Sequence, residues 1–312
     1  SKVNIMVARN INKYIRLFQW RGGLPYLFSD IYIQFYKSLN CIIVNKENVW
    51  TNFIPQKTAK KTLEKGVRLI SNSENFKNYK LQFKNLRQVC TAEVEKIFKS
   101  KSVNEIDLRS VLNHFSKLFK YYSKTEFFYL DEAYKLSVNL DIKKRLEEIG
   151  NIKYRARFYI NKVFFEKSNY LDKILKLLAR QFDITAHDLK KYSCEELIQG
   201  FCGKKVSPEV IGKRSESYTM YGEYGGVTYL HGRSSLRFID KFLGHKVYNQ
   251  KVIKGTIANG GRVIGRARVI HYSYEGFNSI KHSIKLMKKG EILVAESTSP
   301  LNIKKHRLRT KP

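Results

Sequence analysis

The feature that most constrains this chain is a change of hydrophobic period. Between residues 57 and 210 the apolar residues recur at helical spacing. Leu108, Val111, Leu112, Phe115, Phe119 and Tyr122 form one such stripe, and Leu171, Ile174, Leu175, Leu178 and Phe182 form another. Ser102-Val103-Asn104-Glu105 has the capping-box pattern, in which a hydroxyl and a carboxylate exchange hydrogen bonds with the first turn. Thr185-Ala186-His187-Asp188 and Ser193-Cys194-Glu195-Glu196 give two further helix starts. His114 and His187 fall inside these helices and read as structural or surface residues.

Beyond Gly203 glycine becomes frequent and strand-like runs replace the stripes. Ser217–Tyr221 and Gly226–Leu230 flank Gly222–Gly225, which predicts a hairpin. The spacing of Gly222, Gly225 and Gly226 fits neither phosphate-binding glycine pattern, so they read as a turn. Arg233–Leu243 reads as a short helix or connector. Residues 1–52 are aromatic and basic, broken at Gly22–Pro25, with Ile31, Phe35 and Leu39 at near-helical spacing. They read as a core-facing pair of helices rather than an interfacial membrane anchor. The expected fold class is α+β: a helical region over 1–210, a small β-hairpin and connector over 211–253, and a third region over 254–312.

Composition limits the function classes. Lys and Arg total 59 against 27 Asp and Glu, a formal net charge of +32. Lysine outnumbers arginine and is spread along the chain together with abundant Asn, Ile, Tyr and Phe. The charge therefore reads as compositional, with nucleic-acid binding as an alternative rather than the main expectation. Cys41, Cys90, Cys194 and Cys202 show no metal or redox spacing and read as reduced thiols of a cytoplasmic protein. No apolar run reaches the ~18–20 residues needed to cross a bilayer, and no signal peptide is evident. The chain does not begin with methionine, which fits a processed chain or a fragment.

The third region carries the most information. KGTIANGGRVIGRARVI (Lys254–Ile270) reads as strand, glycine turn, strand. Val263, Gly265, Ala267 and Val269 lie on one face, with Ile264, Arg266, Arg268 and Ile270 on the other. Further on, KKGEILVAESTSP (Lys288–Pro300) holds the short apolar run Ile292–Ala295, as for a strand buried on both faces.

Together these segments resemble the mobile phosphohistidine domain of the PEP-utilising enzymes, the family of phosphoenolpyruvate synthase and pyruvate phosphate dikinase. Gly255, Ala258, Gly261, Gly265, Ala267, Arg268 and Val269 match its opening motif, with Asn259-Gly260 in place of the usual Ser-Pro. Gly290, Glu291, Ile292, Leu293, Val294, Thr298 and Pro300 match its second motif. The resemblance covers about residues 254–303 and implies the front part of a β/β/α swivelling domain. It also implies phosphoryl transfer through a histidine, with ATP and Mg²⁺ used elsewhere in such enzymes and no cofactor in this chain. In the family that histidine follows Thr-x-Pro in a G-G-x-x-[ST]-H-A segment, which these 312 residues do not contain. His306 sits among cations in the basic stretch Ile303–Pro312 and does not fit the segment, and His271 and His282 fall where the family places no catalytic group. The expectation is therefore a truncated or fragmentary phosphotransferase chain without catalytic residues. Its expected partner is a separately encoded nucleotide-binding or PEP-binding domain.

Overall fold

A computed structural model describes residues 14–125, 139–223, 225–243, 264–270 and 286–295. The chain divides into two units, Ser1–Gly244 and His245–Pro312.

The first unit is built on a five-stranded antiparallel sheet in the order β1-β3-β2-β4-β5. Its strands are β1 (Tyr14–Arg21), β2 (Ile42–Lys46), β3 (Val49–Pro55), β4 (Ser217–Glu223) and β5 (Gly226–His231). The expected helix pair over 1–52 is corrected here, since the described residues from Tyr14 on supply strands β1, β2 and the start of β3 around one α-helix, α1 (Tyr26–Tyr36). β2 and β3 form a tight hairpin, with Glu47 and Asn48 at φ 51° and 58°. That is the left-handed pair a two-residue turn requires to match strand twist. Glu-Asn is a weaker turn signal than Asn-Gly, so the sequence conceals it. β1 joins the other side of β3, with a register shift between Arg16 and Phe18.

The hairpin predicted from Ser217–Tyr221 and Gly226–Leu230 is present as β4–β5, paired from Tyr218↔His231 to Glu223↔Gly226. β4 also pairs with β2, from Ile42↔Tyr221 to Lys46↔Ser217, so strands far apart in sequence meet at the middle of the sheet. Residue 210 falls inside a helix, α9 (Pro208–Glu216), that leads directly into β4.

Between β3 and β4 the chain runs through α2 (Gln56–Ser71), α3 (Ser73–Ser100), α4 (Glu105–Lys117), α5 (Leu140–Phe164), α6 (Tyr170–Phe182), α7 (Ala186–Leu189) and α8 (Cys194–Gln199). Both apolar stripes face the core: Leu108, Val111, Leu112, Phe115 and Phe119 are buried, as are Leu171, Ile174, Leu175 and Leu178. Asparagine starts four of these helices, with the side chains of Asn72, Asn104, Asn139 and Asn169 accepting first-turn N–H groups. At α4 the cap is Asn104 rather than Ser102, which sits outside the helix. The helix start expected at Ser193 is present at α8, where Ser193 and Glu196 form a full capping box.

Both faces of the sheet are covered. Ile43, Trp50, Tyr218 and Met220 belong to the large core that also contains α1 and the helical layer. Ile42, Val44 and Tyr221 pack instead with Phe238, Ile239 and Phe242 of α10 (Arg233–Leu243). Double coverage accounts for the buried apolar run Cys41–Val44 leading into β2, although the sheet is antiparallel. The mixed α+β class is therefore what the chain adopts.

In the second unit, β6 (Arg266–Ile270) and β7 (Glu291–Ala295) pair in parallel, from Arg266↔Glu291 to Ile270↔Ala295. Val269 and Val294 are exposed, where the sequence predicts burial on both faces of β7. The described residues of this unit supply a ladder without a covering layer.

Candidate functional site

The two glycine-containing motifs meet in the second unit. An added Cβ at Gly265 would lie 2.2 Å from the carbonyl oxygen of Gly290, so β6 approaches the turn before β7 at a distance only glycine tolerates. Gly290 has φ +90°, the conformation its turn needs. Arg268 then reaches across to Glu291: Nε donates to Oε2 at 2.9 Å and Nη2 to Oε1 at 3.0 Å. The backbone N–H of Lys288 donates to the same Oε2 at 2.9 Å. The Arg268 hydrogen bond, then that of Lys288, holds the Glu291 carboxyl down at about 2. Gly265, Arg268, Gly290 and Glu291 are thus brought together, and their roles are to set strand approach and register. Gly255, Ala258, Gly261, Thr298 and Pro300 lie outside the described residues, as do His271, His282 and His306.

A second constellation, in the first unit, escapes sequence reading. Asp30 is fully buried on α1. Its Oδ1 accepts from the Tyr229 hydroxyl at 2.6 Å and from Gln34 Nε2 at 3.3 Å. Its Oδ2 accepts from the backbone N–H of Cys194 at 2.7 Å. Arg214, 5% exposed, donates two 2.7 Å hydrogen bonds to Glu196 and a third to the Lys191 carbonyl. Its guanidinium lies 4.2 Å from the centroid of the Tyr26 ring. Tyr26 and His231 meet through the hydroxyl and Nε2 at 2.9 Å, and Arg214 Nε approaches the same Nε2 at 3.4 Å.

A guanidinium only donates, so His231 Nε2 is an acceptor and its proton sits on Nδ1. Burial first, then the Arg214 charge, pushes the His231 pKa down to about 4. Burial would raise the Glu196 carboxyl, but the Arg214 and Ser193 hydrogen bonds outweigh it and the net shift is downward. Burial, then the Asp30 carboxylate, pushes the Cys194 thiol well up, so it is not a nucleophile of the thiolate kind.

Each polar group of this cluster is used by an internal partner. It works as a brace that ties α1 to α8, α9 and the β4–β5 edge. The signal available in sequence was a lone carboxylate in the apolar run Leu27-Phe28-Ser29-Asp30-Ile31. Glu196 was visible only as a cap, yet it serves Ser193 and Arg214 together.

Among the described residues no three His, Cys, Asp or Glu side chains gather where a metal ion could be held. No described helix is long and apolar enough to cross a membrane.

No family model matches the chain, and neither a curated protein nor a solved structure matches it.

Proposed function

We propose that the chain is part of a phosphotransferase of the PEP-utilising type, contributing a helix-and-sheet unit and the opening strands of a swivelling phosphohistidine domain. The observation that carries this reading is the pairing of the two motif strands. Gly265 and Gly290 touch, and Arg268 binds Glu291 across the ladder. A parallel pair needs a crossover connection, which suits two motifs separated by about twenty residues of intervening chain.

In such a domain the chemistry belongs to a neutral imidazole that accepts and passes on a phosphoryl group, and the surrounding fold positions it. These 312 residues lack the segment that would carry that imidazole. The proposed role of these 312 residues is to help position that group, so they are not expected to carry the phosphoryl label themselves.

Incubating the purified chain with labelled PEP, or with ATP labelled at the β or γ position, tests the second point. No acid-labile label is expected, and an acid-labile phosphohistidine on this polypeptide would refute it. For the domain reading, cross-strand NMR contacts between Gly265 and Gly290 are expected. Their absence removes its structural support.

A further inference from the structure

We propose that a cleft between α2, α3 and the turn after α4 binds a small molecule carrying two or more phosphate groups. This is independent of the swivelling-domain reading, because the cleft lies wholly in the first unit. It is a shallow, widely open depression with a volume of about 460 Å³, within the ~300–1,000 Å³ range of small-ligand sites.

Four cations line it: Lys65 and Arg68 from α2, Lys120 from the 3₁₀ turn Leu118–Lys120, and Lys124 just beyond. The rest of the lining is Asn75, Asn78, Gln82, Tyr79 and Leu69, so no carboxylate faces the cleft among the described residues. None of the four cations has an ion-pair partner among the described residues, although carboxylates pair with Lys46, Lys80, Lys96, Arg109, Lys190, Lys213, Arg214 and Arg268. In a surface cluster of like charges this is the arrangement that a bound anion relieves.

Lys120 and Lys124 are also half-buried. Burial lowers the Lys120 pKa, and burial followed by the charges of Lys65 and Lys120 lowers that of Lys124. Lys120 Nζ is held in place by Gln82 Oε1 at 2.9 Å and by the Tyr121 ring, 5.4 Å away. Lys124 lies over Phe35, with its ammonium 5.8 Å from the ring centroid. Lys120 and Lys124 are thus the half-buried, held cations of the cleft, and Lys65 and Arg68, both on α2, are the exposed ones.

Charge and shape choose the ligand. One phosphate monoester carries about −1.5 to −2, so four cations match a di- or triphosphate better than a single phosphate. A nucleic-acid strand fits less well. The one aromatic residue in the lining, Tyr79, is only 5% exposed and offers no face for a base to stack on.

Titration calorimetry of the full chain with inorganic tripolyphosphate at about 0.15 M salt tests the proposal, since distant surface charges are screened there. Saturable binding at one site is expected. Lys65→Gln with Arg68→Gln should weaken it by about tenfold or more, the loss of one or two charge-assisted hydrogen bonds. Lys176→Gln with Arg180→Gln, a charge-matched change of exposed residues on α6, should leave it unaltered. A second variant, Lys120→Gln with Lys124→Gln, should abolish binding. If it fails to fold by circular dichroism, the exposed pair decides alone. No saturable binding, equal weakening by the α6 control, or ready displacement of tripolyphosphate by a single-stranded oligonucleotide would each overturn the proposal.

Discussion

Arg214 grips Glu196 through two parallel hydrogen bonds of 2.7 Å while its guanidinium lies 4.2 Å from the centre of the Tyr26 ring. Breaking one side of such a pair leaves a buried charge without its counterpart, which costs more than the pair contributes in net stability. Glu196→Gln should therefore lower the urea-unfolding free energy by about 3 kcal/mol. Replacing Arg214 and Glu196 together, by Met and Gln, should cost less than Glu196→Gln alone. A double variant weaker than the single one would show that the guanidinium finds another partner.

The same cluster sets a pH dependence. His231 has a folded pKa of about 4, below its unfolded value near 6.5, so the unfolded chain takes up the proton first as pH falls. Its stabilising contribution is complete above about pH 6.5 and is lost as pH drops toward 4. At this half-exposed site the loss should be about 1–2 kcal/mol after allowance for solvent screening. His231→Gln should flatten the stability profile between those limits. The ¹⁵N shifts of His231 should report the Nδ1–H tautomer at neutral pH.

Close backbone approach makes Gly222 irreplaceable. An added Cβ there would lie 2.5 Å from the Cα of Lys37, a contact with main chain that cannot swing aside. Gly222→Ala should destabilise the first unit by about 1–3 kcal/mol. Gly212 provides the contrast: it sits in α9 with nothing within 4 Å of its would-be Cβ. Gly212→Ala should stabilise by about 0.5–1 kcal/mol. Chemical denaturation of the two variants side by side checks both.

In the second unit, Gly265→Ala should separate β6 from β7, because the new methyl group would meet the Gly290 carbonyl. Arg268→Lys should keep the charge but lose the two-pronged contact with Glu291. Amide exchange of β7 should accelerate strongly in the first variant and modestly in the second. Unchanged protection in Gly265→Ala would show that the strands do not approach this closely in solution.

What the sequence reveals follows from which interactions are local. Helix periodicity and caps are local, so the stripes at 108–119 and 171–178 and the starts at Thr185 and Ser193 could be read directly. The four asparagine caps were half hidden, because abundant Asn reads first as composition. β1, β2 and β3 were missed because a strand is completed by its partners. Tyr14–Arg21 gains its identity from Val49–Pro55, and β2 from a strand beginning at Ser217. The brace around Asp30 and the cationic cleft are assembled from distant elements by the fold, so no spacing rule in the sequence announces them. Motif and pattern marked Val263–Ile270 and Ile292–Ala295 as separate strands, and their parallel pairing was not legible in the sequence. Periodicity alone marked two unconnected strands.

The position of β2 between β3 and β4 has a consequence for how the molecule is made. During synthesis β1, β2 and β3 emerge early, but the far edge of β2 has no partner until the whole helical layer and α9 have followed and β4 appears. Until then Ile42, Ile43 and Val44 form an unpaired apolar edge, the kind of template onto which other nascent chains add. Pairing β4 with β2 closes a long loop, the kind of non-local step that slows folding. A ribosome-released piece ending before Ser217 should aggregate, while the same piece mixed with a β4–β5 hairpin peptide should stay in solution.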